Sequence, residues 1–168
     1  LAERLHGLND ERKAVESAIL EQATVEAQKQ IDANPDTGIL IAAGEGWHPG
    51  VIGIVASRLK ERYGLPACIL TVQDGVATGS GRSITGVDLG ACIIAARQAG
   101  ILTNGGGHSM AAGFSLEAGK LDVFETFLSE RIGKQISEGG ILPTLSVDGS
   151  ISIEGASMDL VEILNKMG

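Results

Sequence analysis

The sequence predicts an α/β fold: a mixed sheet flanked by helices, with a long N-terminal connector helix. Three observations carry this prediction. Short apolar runs alternate with longer amphipathic stretches, glycine clusters sit where one kind of segment gives way to the other, and Asn9 to Ile31 contains neither glycine nor proline. Apolar runs of this length suit buried strands, and their alternation with helical patterns is the mark of strand-helix-strand units.

Asn9, Asp10 and Glu11 make a good helix start, and Val15 and Ile19 share a narrow apolar stripe. A long helix with so thin a stripe suits a connector between domains, spanning residues 1–36. "TGILIAAG" (37–44) reads as a buried strand. Pro49 and Gly50 then lead into "VIGIVASRLKERYG", an amphipathic helix closed by Gly64. "PACILTV" (66–72) is the next strand and completes the first strand-helix-strand unit. "GVATGSGRS" (75–83) fits a glycine-interrupted strand, "VDLGACIIAARQAG" (87–100) a helix starting near Asp88, "AGFSLE" (112–117) a strand, and Lys120 to Ile136 a helix. These elements form one body, 37–137. The remainder, 138–168, reads as a hairpin about Asp148-Gly149 followed by a helix.

The 168 residues are 43% hydrophobic, enough to bury one core and too apolar for general disorder. No run approaches the roughly 18 apolar residues of a membrane span, so a soluble, cytoplasmic protein without a membrane partner is expected. Position 1 is leucine, and no basic stretch leads into an apolar one. A piece of a longer protein without a signal peptide is the reading that follows. Cys68 and Cys92 lie in apolar runs, as buried thiols do, and two cysteines are too few for a zinc site or a disulfide framework.

A net charge of -8 looks wrong for a nucleic-acid partner, because phosphates are drawn to positive potential. Its distribution softens the objection. Between Gly38 and Ser115 five basic residues stand against four acidic ones, whereas the remainder holds 8 against 17. Charge alone therefore neither supports nor excludes such a partner.

The glycine clusters carry the chemistry. In "GEGWHPGVIG" a helix starting near Pro49 offers unpaired N–H groups and the positive end of its dipole, with His48 beside it. The plainer alternative is that Trp47 and His48 cap and cover the helix end. In "GSGRS", Gly79 and Gly81 let a strand approach a ligand, Arg82 can fork onto a phosphate, and the Ser83 hydroxyl stands nearby; an exposed arginine on a bulged edge strand fits equally. "TNGGGHSMAAGF" (103–114) sets Gly105, Gly106 and Gly107 against His108. Each glycine costs about 0.5–1 kcal/mol relative to alanine in an element interior, so the run predicts a tight turn or a close approach of backbone to something. A phosphate is the candidate, although a lone histidine also fits a structural role. A dinucleotide fingerprint is disfavoured even with Asp74 after the next strand: the spacing is GxGxxxG, and Trp47-His48-Pro49 puts bulk where a pyrophosphate would meet backbone.

"GWHPGVIGIVASRL", "GSGRS" and "GGGHSMAAGF", in this order and spacing, resemble the DHH-associated domain of the RecJ family. These are bacterial single-strand-specific 5′-to-3′ DNA exonucleases within the DHH phosphoesterases. The resemblance covers Gly38 to about Ile136 and extends more weakly to both ends. It implies that the chain is the substrate-binding part of a hydrolase of DNA recombination and repair. A separate Asp-His-His domain would bind Mn2+ or Mg2+, and this sequence shows no such metal-ligand cluster of its own. By the motif match His108 and Arg82 are catalytic and face the phosphate, Gly105, Gly106 and Gly107 line the groove, and Trp47, His48, Arg58 and Ser83 are further substrate contacts. Single-stranded DNA and the missing metal-binding and oligonucleotide-binding domains are the implied partners, and the chain alone is expected to be inactive. GGGH also occurs in DHH hydrolases of short oligonucleotides and cyclic dinucleotides, which is the alternative; WHPG together with GSGRS favours the exonucleases.

Overall fold

The computed structural model describes residues 2–139, 147 and 149–167. Its elements are α1 (Ala2–Ala33), β1 (Leu40–Glu45), α2 (Pro49–Tyr63), β2 (Ala67–Gln73), β3 (Val76–Arg82), α3 (Leu89–Gln98), β4 (Asn104–His108), β5 (Ala111–Glu117), α4 (Leu121–Gly139) and α5 (Met158–Met167). One five-stranded sheet runs β1-β2-β3-β5-β4, with β1 and β2 parallel and every other pair antiparallel. This is the mixed, helix-flanked α/β sheet that the sequence predicts.

Local chemistry explains the connections. Parallel pairing of β1 with β2 requires a crossover, which α2 supplies. Pro49 opens α2, and Gly64 closes it at φ 67, its N–H donating to the Lys60 carbonyl at 2.9 Å. Between β2 and β3 the chain reverses on Asp74 (φ 50) and Gly75 (φ 77), the two left-handed positions of a hairpin turn that Asp-Gly favours. Asp88 caps α3, accepting from the Ala91 N–H at 2.9 Å.

The β1–β2 half of the sheet is buried on both faces, which is why these two strands read as continuous apolar runs. Leu40, Ala42, Ala67 and Ile69 pack against α1 and α2. Ile39, Ile41, Cys68 and Leu70 face α3 and α4, where the Phe114 and Phe124 rings lie 4.8 Å apart.

The structure departs from the sequence reading in three places. Val15 is 41% exposed, and the buried stripe of α1 is Glu16, Ile19, Ala23 and Ala27. Glu16 is tolerated there because Arg12 (2.7 Å) and Arg58 (3.5 Å) both pair with it. Second, the Gly105–Gly107 run is not a turn but the middle of β4. Third, the first half of the hairpin expected about Asp148 lies outside the described residues, and Gly149–Ser152 form no strand. The second half of α1 covers an edge of the sheet: Gln30 accepts from the Ile41 N–H at 3.0 Å and donates to the Ile41 carbonyl. Its amide thereby acts as a short strand on the open edge of β1.

Candidate nucleic-acid interface

Strand alternation divides β3 into two kinds of residue. Ala77, Gly79 and Gly81 face the α3–α4 core, so Thr78, Ser80 and Arg82 face the side of α2. Antiparallel pairing continues that face across β5 and β4 in three rows: Arg82–Ala111–His108, Ser80–Gly113–Gly106, and Thr78–Ser115–Asn104. Helix α2 packs over β2 and β3, and beyond it the sheet offers an open, polar surface. A shallow depression of about 360 Å³ there is lined by Thr78, Asn104, Gly106, Gly113 and Ser115, among others.

The glycines sort into two groups by what a side chain would meet. A Cβ on Gly79 would overlap the Phe114 ring, one on Gly81 would come within 2.7 Å of Leu89 Cδ2, one on Gly105 within 3.0 Å of Ile93, and one on Gly107 within 2.6 Å of Ala112 Cα. Packing accounts for these four. Gly106 and Gly113, paired across β4 and β5, have no atom within 4 Å of the Cβ position and no left-handed φ. Neither packing nor backbone conformation asks for glycine there, and both positions lie on the open surface. Of the three glycines before His108, only Gly106 faces the surface.

Arg82 and His108 stand at one end of the face, on either side of Ala111. The Arg82 guanidinium lies beside α2: Nη1 donates to Ser80 Oγ at 3.0 Å and to the Gly81 carbonyl at 2.9 Å, and a Cβ on Gly53 would sit 3.0 Å from Nη2. It has no carboxylate within ion-pair distance among the described residues. His108 is exposed, and its Nδ1 accepts from the Met110 N–H at 3.3 Å. That bond places the proton of a neutral ring on Nε2, the nitrogen left free. The hairpin tip is tied down by two backbone bonds: Ser83 N–H to the Met110 carbonyl (2.9 Å) and Leu89 N–H to the Ser109 carbonyl (3.1 Å). Gly90 allows this approach, because a Cβ there would come within 2.8 Å of the His108 carbonyl carbon.

The other four residues singled out from the sequence are not in these three rows and have contacts of their own. Trp47 is 7% exposed and its Nε1 donates to Gln22 of α1 at 2.9 Å. Its ring also fills the space that a Gly44 side chain would take. His48 caps α2, Nδ1 accepting from the Gly50 N–H at 3.0 Å. The Ser83 side chain is fully buried and its hydroxyl donates to the Val87 carbonyl at 2.9 Å. Arg58 is turned to Glu16. Burial and these bonds close Trp47 and Ser83 to a ligand, whereas exposed His48 keeps Nε2 free, as His108 does, and the Arg58 side chain is 59% exposed. On the open face the fold also brings up Thr78, Ser80, Asn104, Gly113 and Ser115, which the sequence reading did not single out. The signal for most of them was the every-second-residue pattern Thr78, Ser80, Arg82 and Gly113, Ser115.

Cys68 lies under this face, its Sγ 3.0 Å from the Cβ position of Gly81. Burial, reinforced by neighbouring Cys92, pushes its thiol up to about 12, and with no exposed surface it serves as a packing group. No three His, Cys, Asp or Glu side chains among the described residues are grouped to hold a metal ion.

The mixed sheet thus ends in a glycine-rich edge hairpin bearing His108, with Arg82 two strands away on the same face. The chain belongs to the DHHA1 domain family, whose model matches residues 36–134, and within it to the RecJ type. The single-stranded-DNA-specific exonuclease RecJ of Bacillus subtilis (strain 168) is 32% identical over 169 residues, covering 99% of this chain and 21% of that protein. RecJ of Escherichia coli (strain K12) is 32% identical over 173 residues, covering 100% and 30%. The RecJ of Thermus thermophilus, crystallised in complex with Mn2+, superposes with a TM-score of 0.68 at 27% identity, covering 79% of this chain and 18% of that one. The chain thus spans less than a third of the length of each of these relatives.

Proposed function

We propose that this chain is the strand-binding part of a RecJ-like exonuclease that degrades single-stranded DNA from the 5′ end, in the cytoplasm, during recombination and repair. The observation that carries the proposal is the row Arg82–Ala111–His108: a guanidinium without a carboxylate partner among the described residues and an imidazole with a free Nε2, flanking Ala111 on one open, polar sheet face. A phosphate set against this row receives donors from both. Arg82 supplies a fixed positive charge whose geometry matches phosphate oxygens, and His108 donates from Nε2. Both donors are held before the strand arrives, Arg82 by Ser80 and the Gly81 carbonyl, His108 by the Met110 N–H. Preorganised donors lower the cost of charge that develops on a phosphoryl group.

Divalent metal chemistry, the activation of a water for phosphodiester hydrolysis, belongs in this proposal to a second domain outside this chain. The described residues hold no suitable ligand cluster, while the similar RecJ structures carry Mn2+ or Mg2+. Helix α1 is the connector towards that domain, and α5 leads towards an oligonucleotide-binding domain.

Substitution in the complete enzyme tests the assignment. Arg82→Ala and His108→Ala are each expected to lower turnover by about tenfold to a thousandfold, the effect of losing one preorganised donor, with little change in melting temperature. Normal turnover in either variant, or a loss that disappears once the folded fraction is matched, removes that residue from the site.

A further inference from the structure

We infer that the far end of the open face, the depression between Thr78, Ser115 and Asn104, seats the nucleoside attached to the phosphate at Arg82. This rests on the phosphate assignment above and adds a ligand class to a part of the face that it leaves empty. Rows on one face of an antiparallel strand follow every second residue, about 7 Å apart. The Gly113–Gly106 row is therefore one step from the Arg82–His108 row, and Asn104, on the same strand as His108, is two steps from it, or roughly 14 Å along the strand. A sugar and base extending from the phosphate along the strands pass over the two glycines and bring the base edge to Asn104.

The chemistry of this end suits a flat, uncharged, hydrogen-bonding group. The depression is lined by two hydroxyls, one carboxamide, the Phe114 position and bare backbone, with no cationic side chain. Lys120, just past the end of β5, is already paired with Glu117 at 3.5 Å. A second phosphate therefore has no positive partner in the lining. Asn104 Oδ1 accepts from the Gly105 N–H at 2.9 Å, which leaves the Nδ2 donors for a ligand. Thr78 Oγ1 and Ser115 Oγ lie 3.5 Å apart and either can donate, so between them they meet a donor or an acceptor. Every base edge carries an acceptor, and hydroxyls that switch roles fit any of the four; this seat takes a nucleoside without selecting the base. The bare backbone of Gly106 and Gly113 lets a flat ring lie on the sheet, which any side chain at either position prevents.

Binding of a short 3′-labelled single strand to the complete protein, with divalent metal chelated so that nothing is cut, is the test. Gly113→Val keeps a strand-forming residue and points into open space, so its melting temperature should equal the parent's. Gly113→Val and Asn104→Ala are each expected to raise Kd roughly three- to tenfold, the factor a neutral hydrogen-bonded contact supplies. An abasic site walked from the 5′ end should cost the parent a similar factor at one position, and cost Gly113→Val nothing more there. If both variants bind intact strands like the parent, or their losses add to that of the abasic site, the seat is elsewhere. Arg82→Ala measured alongside separates the two failures: weakened binding in that variant leaves the phosphate assignment standing, and unchanged binding removes both.

Discussion

Glycines that look alike in the sequence do different jobs on the two sides of the sheet. Gly107 faces inward against Ala111 and Ala112, and Gly106 faces open space. Gly107→Ala should therefore destabilise the fold by about 1–3 kcal/mol through overpacking, whereas Gly106→Ala should leave it unchanged or raise it by about 0.4–1 kcal/mol through the unfolded state. Urea unfolding of the two variants decides this, and equal effects would contradict the inward–outward division. Cys68 gives a second residue-scale expectation. Its thiol rises from 9.0 to about 12 on burial, so above pH 9 the unfolded chain releases a proton that the folded chain keeps. Stability then falls as pH rises from about 9 towards 12. Cys92, raised mainly by burial, adds in the same direction. Cys68→Ala should flatten the alkaline limb of the unfolding midpoint against pH; a limb of unchanged slope assigns it to other groups. The glycine-rich clusters that carry Arg82 and His108 were legible, but the row that sets the two residues on one sheet face is visible only in the structure. The partners of Trp47, His48, Arg58 and Ser83, namely Gln22, the Gly50 N–H, Glu16 and the Val87 carbonyl, were not legible, because they are contacts no spacing rule reveals.

Among the elements, β4 is the one that the sequence hid. A run of Asn104-Gly-Gly-Gly-His108 has almost no side chains to alternate, and glycine disfavours strands, so the period-2 signal is missing. Only the packing of Gly105 and Gly107 against the core, which needs the tertiary structure, explains why it pairs with β5. The strands β1 and β2 were legible from their continuous apolar runs, and α2 and α3 from their caps. The helix α1 was legible as a helix but not as the cover of a sheet edge. Gln30 carries that role, and Gln30→Ala leaves the Ile41 N–H and carbonyl without this partner. A loss of about 1–3 kcal/mol is expected, together with faster amide exchange at Ile41; unaltered exchange there means that the edge is protected by something else.

For the chain as a whole, the net charge of -8 lies mainly outside Gly38–Ser115 and supplies no long-range attraction of its own for a strand. The proposed binding therefore depends on the local row at Arg82 and His108 and on the second domain proposed to close over the strand. The chain by itself should bind single strands weakly and leave end-labelled DNA intact in the presence of Mn2+; degradation that is lost on substitution of its own residues would overturn the division of labour. The most direct measurement is the affinity of the complete protein, with metal chelated, for single strands of increasing length across a range of salt. A strand-binding face predicts affinity that grows over several nucleotides and a log–log salt slope of about -0.7 for each phosphate neutralised, made shallower by Arg82→Ala. Affinity that is flat beyond a dinucleotide and insensitive to Arg82→Ala would contradict strand binding and assign the face to a small-nucleotide hydrolase.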